Sequence, residues 1–256
     1  MSTSITPRKI SKYGWHPDLP DQRDLSYTVV KTTKLPSVVD LQAHCPAVYD
    51  QGDLGSCTAN AVAGLFEYNL LKQKITDFMP SRLFIYYNER AIEGTVSYDS
   101  GAMIRDGIKT VNKQGVCHET LWPYDITKFA DQPTPNCYTD GLLNEALVYQ
   151  RLDITLTAMR NCLALGNPFV FGFTVYESFE SEQLANTGIM SMPKRNESVI
   201  GGHAVMAVGY NDNTGYVKCR NSWGSSWGKQ GYFYMPYAYI SNTMLTSDFW
   251  TIQSVK

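Results

Sequence analysis

Apolar residues recur at helical spacing in the first half of the chain, and this spacing predicts three helices. The first helix begins near Cys57 and covers residues 58–72, where the apolar positions form a stripe. The second opens at residues 80–81, because a Pro-Ser pair is a typical helix start. The third covers residues 102–113 and ends at Gly115, since glycine readily adopts the left-handed conformation that terminates a helix.

From residue 168 onward, runs of β-branched and aromatic residues replace the helical spacing. These runs predict strands over residues 169–175, 203–210, 215–220, 231–235 and 248–252. Helices that precede strands predict an α+β fold with two lobes, a helical N-terminal lobe and a β-rich C-terminal lobe. Ligands commonly bind between lobes, so we expect the active site in that cleft.

Composition excludes several classes of function. The chain has 256 residues, enough for one large domain or two small lobes with a sizeable core. Its net charge of −2 argues against binding to nucleic acid or to an anionic membrane surface. No apolar run reaches the roughly 18 residues of a membrane span. No secretory signal is visible in residues 1–13, and the cellular compartment stays open.

The six cysteines show no Cys-x-x-Cys spacing, so we expect neither a zinc site nor another cofactor. Cys117 and Cys137 flank a short segment and are compatible with either a disulfide or two ordinary buried thiols. If one of the six is a nucleophile, five remain and at least one of them stays unpaired.

Three separated stretches together contain the groups of one cysteine-dependent active site: residues 51–58, 201–205 and 221–228. Cys57 is the candidate nucleophile, and His203 is the candidate base that takes its proton. Asn221 is the candidate group that orients the imidazole, and Trp223 is expected to cover their hydrogen bond. Gln51 is expected to donate a side-chain N–H to the oxyanion, with the backbone N–H of Cys57 as second donor.

These stretches resemble the papain-like cysteine peptidases from about Leu35 to the C-terminus. The string Asn-Ser-Trp-Gly-x-x-Trp-Gly at residues 221–228 is the most specific part of the resemblance. Residues 15–24 are similar to the N-terminal segment of the xylellain-like microbial branch. Two positions depart from the usual family pattern: Leu54 stands where a cysteine is common, and Thr58 stands where a tryptophan is common.

The resemblance implies a specificity pocket for the second residue before the scissile bond. The positions that match its lining are Met103, Gly172, Ala204 and Ser247. They suggest a medium-sized apolar pocket, with Gly172 leaving depth and Trp223 nearby. The alternative is ordinary core packing. Residues 88–101 contain no long His-bearing insertion of the kind that blocks the cleft in carboxydipeptidase relatives, which favours endopeptidase action.

Residues 1–34 are interpreted as an N-terminal arm or pro-segment, and residues 35–256 as the peptidase domain. Three prolines prevent a long helix in the arm, which nevertheless contains the bulky Trp15 among polar residues. We therefore expect the segment around Trp15 to pack on the enzyme and part of the arm to cross the cleft near Cys57. The alternatives are a disordered leader and a structural belt remote from the cleft.

The expected function is that of a monomeric cysteine endopeptidase, made as a zymogen, that acts on peptides or proteins through a thioester acyl-enzyme. One alternative is a transpeptidase or ligase, in which an amine captures the same acyl-enzyme. Another is a non-catalytic binding module with this fold. The complete set of Cys57, His203, Asn221 and Gln51 argues against the binding module.

Overall fold

The computed structural model describes residues 13–29 and 34–256. Any interpretation of residues 1–12 in the predicted arm, including that of Pro7, lies outside the described part. Seven α-helices are described: α1 (Cys57–Gln73), α2 (Arg82–Glu93), α3 (Ile104–Lys113), α4 (Pro135–Gly141), α5 (Leu156–Ala164), α6 (Glu182–Thr187) and α7 (Tyr237–Ile240). Nine strands are described: β1 (Trp15–His16), β2 (Val38–Asp40), β3 (Ala102–Met103), β4 (Ala146–Arg151), β5 (Phe169–Tyr176), β6 (Val199–Asn211), β7 (Tyr216–Arg220), β8 (Tyr232–Pro236) and β9 (Thr246–Val255).

The three predicted helices are present, and two of them begin where the sequence indicates. Cys57 is the first residue of α1, and the Ser81 hydroxyl caps α2 by accepting a hydrogen bond from the Phe84 N–H at 3.2 Å. The third helix begins later than predicted, at Ile104, because Ala102 and Met103 form the short strand β3. That strand pairs with β1 from the N-terminal arm, a partner that local sequence patterns do not reveal.

The five predicted strands are present in one antiparallel sheet, ordered β4-β9-β5-β6-β7-β8, with β2 paired to β6. The sheet separates two apolar cores, because successive side chains of a strand point to opposite faces. On β6, Met206 and Val208 face the core of the helical lobe, whereas Val205 and Ala207 face the core of the β lobe. This arrangement is the two-lobed α+β fold that the sequence indicates.

Helix α1 lies at the centre of the molecule. It packs against α2 and α3 on one side and against β6 and β9 on the other. Every residue from Cys57 to Leu70 is buried, so the helix is enclosed on all sides rather than along one stripe. The enclosure holds the first residue of α1 rigidly beside β6, the strand that carries His203.

All six cysteines are free thiols in this structure. Cys117 and Cys137 are both fully buried and unbridged, which agrees with the second of the two alternatives, two ordinary buried thiols. The fold of the described residues is therefore stabilised by its two apolar cores and by hydrogen bonds rather than by disulfide bridges.

Candidate active site

The Cys57 thiol lies at the N-terminus of α1, beneath the strand that carries the candidate base. Cys57 is 0% exposed, and the backbone N–H of Ala204, next to His203, faces its sulfur. Burial raises the pKa of this thiol to about 12, although the N–H groups of Ala204, Gly14 and Thr58 act to lower it. A thiol at a helix N-terminus is expected to have a lowered pKa. Here burial outweighs that effect and favours the protonated thiol.

His203 and Asn221 are joined by a buried hydrogen bond. His203 is on β6 and Asn221 directly follows β7, the neighbouring strand, so the sheet register brings the two side chains together. The Nε2 of His203 lies 2.8 Å from Oδ1 of Asn221. The Ser222 N–H donates to the same oxygen at 2.9 Å, which identifies that atom as the amide oxygen. The imidazole therefore carries its hydrogen on Nε2, which leaves Nδ1 to exchange a proton with a nucleophile.

Trp223 covers the imidazole. Its ring centroid lies 5.1 Å from that of His203, and its side chain is only 3% exposed. Phe173 and Phe179 from the β lobe also contact the imidazole, with ring centroids at 5.7 Å and 6.1 Å. An apolar surround of this kind excludes water, and the hydrogen bond to Asn221 is stronger as a result.

Gln51 is held close to the start of α1 and to the segment that contains Asn221. Its Nε2 donates to the Leu54 carbonyl at 2.9 Å, and its Oε1 accepts from the Ser222 hydroxyl at 2.6 Å. The side chain is 1% exposed, so these two bonds fix it in one orientation. A side-chain amide has a second N–H in addition to the one given to Leu54.

The N-terminal arm crosses the cleft beside the thiol. Gly14 lies between two other glycines: a Cβ added at Gly14 would be 1.7 Å from the Gly55 carbonyl oxygen, and a Cβ at Gly101 would be 2.3 Å from the Gly14 oxygen. Only glycine fits at position 14 without a shift of the backbone. Its carbonyl accepts a hydrogen bond from the Ala102 N–H at 2.7 Å, while its N–H faces Cys57.

Trp15 fills a pocket in the β lobe next to the thiol. A Cβ at Gly172 would lie 1.9 Å from the indole ring, and one at Gly202 would lie 2.7 Å from it. The indole N–H donates to Oδ2 of Asp248 at 3.1 Å, and Trp15 is 7% exposed. The pocket thus accommodates a full indole ring and includes a carboxylate, whereas the sequence suggests one that is medium-sized and apolar.

The other predicted pocket residues lie on strands that adjoin Gly172 or the arm. Ser247 pairs in register with Gly172, and so does Ala204 from the opposite neighbouring strand. Met103 pairs instead with His16, the residue after Trp15, and is half-buried at the edge of the cleft.

Sequence reasoning misses Asp248, which is 1% exposed and hydrogen-bonded to the arm. The available signal is a charged residue directly before the apolar pair Phe249-Trp250 in a largely buried strand.

A second part of the arm, residues 18–27, continues from the Trp15 pocket onto the helical lobe and the sheet, and the Asp18 N–H donates to Oδ2 of Asp248 at 2.8 Å. Asp18 accepts from the Arg105 N–H at 3.1 Å and from the Trp250 indole N–H at 2.8 Å. Asp24 forms ion pairs with Arg105 at 2.6 Å and with Arg151 at 2.8 Å. These contacts form a belt along the helical lobe and the sheet, so the arm both crosses the cleft and packs on the enzyme's side.

Within residues 13–29 and 34–256, no group of three or more His, Cys, Asp or Glu side chains is arranged to hold a metal ion. No helix in that described part is long and apolar enough to cross a membrane.

Comparisons with known proteins point in one direction. Residues 35–249 match the model of the family described as papain family cysteine protease. An uncharacterised peptidase C1-like protein of Acanthamoeba polyphaga mimivirus is 44% identical, covering 100% of this chain and 90% of the viral protein. Mouse pro-cathepsin H is 29% identical over 73% of this chain and 55% of its own length.

A crystal structure of xylellain, a cysteine protease from Xylella fastidiosa, superposes with a TM-score of 0.90 at 46% identity. The match covers 99% of this chain and 100% of that one. A procathepsin B from Trypanosoma congolense superposes with a TM-score of 0.74 at 17% identity over 96% of this chain and 87% of that one, a likeness of fold.

Proposed function

Because this chain belongs to the papain family of cysteine proteases, we propose that it is a cysteine endopeptidase whose own N-terminal arm keeps it latent. The observation that carries the proposal is that Gly14 and Trp15 of the arm occupy the cleft directly beside the Cys57 thiol. The same residues cover the groups that would perform the chemistry. The site would thus have a closed state, in which the arm fills the cleft, and an open state, in which the catalytic groups are accessible.

In the open state, His203 takes the proton of Cys57 on Nδ1, and the thiolate attacks the carbonyl carbon of the scissile peptide bond. Asn221 keeps the imidazole in the tautomer that leaves Nδ1 able to accept that proton. The imidazolium then protonates the leaving amine, and the C–N bond breaks to leave a thioester on Cys57. Water, deprotonated by His203, hydrolyses the thioester and restores the thiol.

The tetrahedral intermediate needs donors for its negatively charged oxygen. The second N–H of the Gln51 amide and the backbone N–H of Cys57 are suited to this role, because Gln51 is fixed by its bonds to Leu54 and Ser222. A preorganised donor of this kind contributes a factor of roughly 100–1,000 to the rate. The contribution of Gln51 to the rate depends on its hydrogen bonds to Leu54 and Ser222, because they keep the amide in one orientation.

The arm occupies the space in front of the thiol. The Gly14 N–H faces Cys57, and the Gly14 carbonyl accepts a hydrogen bond from the Ala102 N–H, which holds this part of the arm in the cleft. The arm is also tethered, so even a weak contact inhibits at an effective concentration on the order of millimolar.

The indole of Trp15 also indicates the substrate side chain that the pocket prefers. Gly172 and Gly202 leave room for a large planar ring, and Asp248 accepts an N–H at its edge. We therefore propose a preference for a bulky aromatic residue two positions before the scissile bond. Tryptophan is expected to exceed phenylalanine there, since only the indole can donate to Asp248.

Two N-terminal truncations test latency. A chain that begins at residue 17 loses the cleft segment but keeps the belt around Asp18 and Asp24, whereas a chain that begins at Leu35 loses both. We expect the first to hydrolyse a fluorogenic peptide faster than the full chain. A folded protein beginning at residue 17 with unchanged turnover and unchanged inhibitor-labelling rate would contradict latency. Loss of hydrolysis in Cys57→Ala tests the nucleophile, and more than a few per cent residual activity in that variant would contradict the assignment.

A further inference from the structure

A buried carboxyl group is hydrogen-bonded to the residue that directly follows the candidate nucleophile. Glu89 on α2 is 0% exposed, and its Oε1 accepts a hydrogen bond from the Thr58 hydroxyl at 2.6 Å. Thr58 directly follows Cys57 in the first turn of α1 and replaces the tryptophan that is usual at this position of the family. The bond therefore ties the first turn of α1 to the middle of α2.

The third helix of the lobe makes room for this carboxyl group. A Cβ at Gly107 on α3 would lie 2.8 Å from Oε2 of Glu89 and 3.3 Å from Val62. The absence of a side chain at Gly107 thus allows α1, α2 and α3 to close around Glu89.

The surroundings favour the uncharged form of Glu89. Its Oε2 has no hydrogen-bond partner among the described residues. Glu93 on the same helix and Asp106 on α3 are acidic neighbours, and the guanidinium of Arg90 is directed at backbone carbonyl oxygens instead. Burial raises the pKa of Glu89 well above its ordinary value, against the opposing effect of the Thr58 hydrogen bond. An unpaired charge in such a place is costly, which favours the protonated form of Glu89.

The charge state of Glu89 affects the pKa of Cys57. A carboxylate at Glu89 raises the pKa of Cys57 and so disfavours the thiolate. We propose that Glu89, in its uncharged form, is a positioning residue for Cys57: through Thr58 it fixes the first turn of α1, and it does so without placing a negative charge beside the thiolate. This inference rests on the proposed role of Cys57 as nucleophile.

Variants of the full-length protein separate the effect of the hydrogen bond between Thr58 and Glu89 from the effect of a charge on Glu89. Glu89→Gln keeps an acceptor for Thr58 and stays neutral, so we expect kcat per titrated active site within about twofold of the wild type. It should also leave the pH midpoint of Cys57 alkylation unchanged. Glu89→Ala and Thr58→Val each remove the bond, and kcat should fall about tenfold in each at unchanged KM. Thr58→Ser, which keeps the hydroxyl, should rescue kcat.

Glu67→Gln is the matched control, because Glu67 is another buried carboxyl group of the helical lobe whose partner is Tyr49 rather than Thr58. It should leave kcat and the alkylation midpoint unchanged. Full kcat per titrated site in both Glu89→Ala and Thr58→Val overturns the positioning role. A lower alkylation midpoint in Glu89→Gln overturns the neutrality, since it would mean that a charge had been removed. If a folded Gly14→Ala protein, whose arm is displaced from the cleft, has no titratable Cys57 and no hydrolysis, the proposed function has failed instead.

Discussion

Replacing Gly14 with alanine is expected to drive the arm out of the cleft by adding a single methyl group. The new Cβ would lie 1.7 Å from the Gly55 carbonyl oxygen, whereas real Cβ contacts are essentially never shorter than 3.0 Å. The arm must therefore retreat by at least 3.0 − 1.7 = 1.3 Å at this point. A retreat of that size breaks the 2.7 Å hydrogen bond from the Ala102 N–H and pulls Trp15 away from its pocket.

The magnitude follows from the cost of overpacking. Forcing an extra methyl group into a closely packed site costs typically about 1–3 kcal/mol. At 1.36 kcal/mol per factor of ten, the population of the open state should rise about 5- to 160-fold. The substitution leaves every residue of the enzyme's own cleft unchanged, so the intrinsic activity of the open state is preserved.

Two rates measure the effect: alkylation of Cys57 by a small thiol reagent and hydrolysis of a short fluorogenic peptide. Both should increase by the same factor in Gly14→Ala, because both require the open state. Leu19→Ala serves as the matched control, since Leu19 belongs to the same arm but is 68% exposed. If Gly14→Ala folds and its two rates equal those of the wild type and of Leu19→Ala, the arm does not gate the site.

Three further results are expected. Asn221→Ala should retain measurable turnover while His203→Ala loses nearly all, because an orienting group improves geometry whereas the base moves the proton itself; turnover numbers in the reverse order would contradict these roles. Gln51→Ala should lower kcat by roughly 100–1,000-fold, and an unchanged kcat would remove Gln51 from the oxyanion site. Thermal melts between about pH 4 and pH 8 should show the wild type losing stability with rising pH relative to Asp18→Asn, because burial and the neighbouring Asp248 raise the pKa of Asp18 in the folded state above its ordinary 3.8. Folding then retains a proton that the unfolded chain releases, and parallel melting curves for the two proteins would show that this linkage is absent.

The parts of the fold that sequence predicts are those encoded locally. Helix α1 and strand β5 are recognisable because helical spacing and a continuous run of apolar, largely aromatic residues lie within a few turns of chain. Strand β3 is not, since Ala102 and Met103 become extended only by pairing with the arm, more than 80 residues earlier in the chain. Its location depends on a partner that no local pattern specifies.

The candidate site divides in the same way. The Cys57, His203 and Asn221 positions stand within distinctive short strings, and the structure places Asn221 beside His203 through the pairing of β6 with β7. The role of Asp248 depends on the path of the arm, which the sequence does not reveal in detail. The raised pKa of Cys57 likewise follows from burial beneath that arm rather than from the helix N-terminus on which sequence reasoning relied.

The most direct test of the central claim is covalent labelling with an epoxysuccinyl thiol-protease inhibitor, followed by mass mapping of the modified residue in the wild type and in Gly14→Ala. We predict one adduct per chain, located on Cys57, with the other five cysteines unmodified. It should form faster in Gly14→Ala than in the wild type. An adduct on a different cysteine, or no adduct in a folded Gly14→Ala protein, would contradict the assignment of Cys57 as the nucleophile beneath the arm.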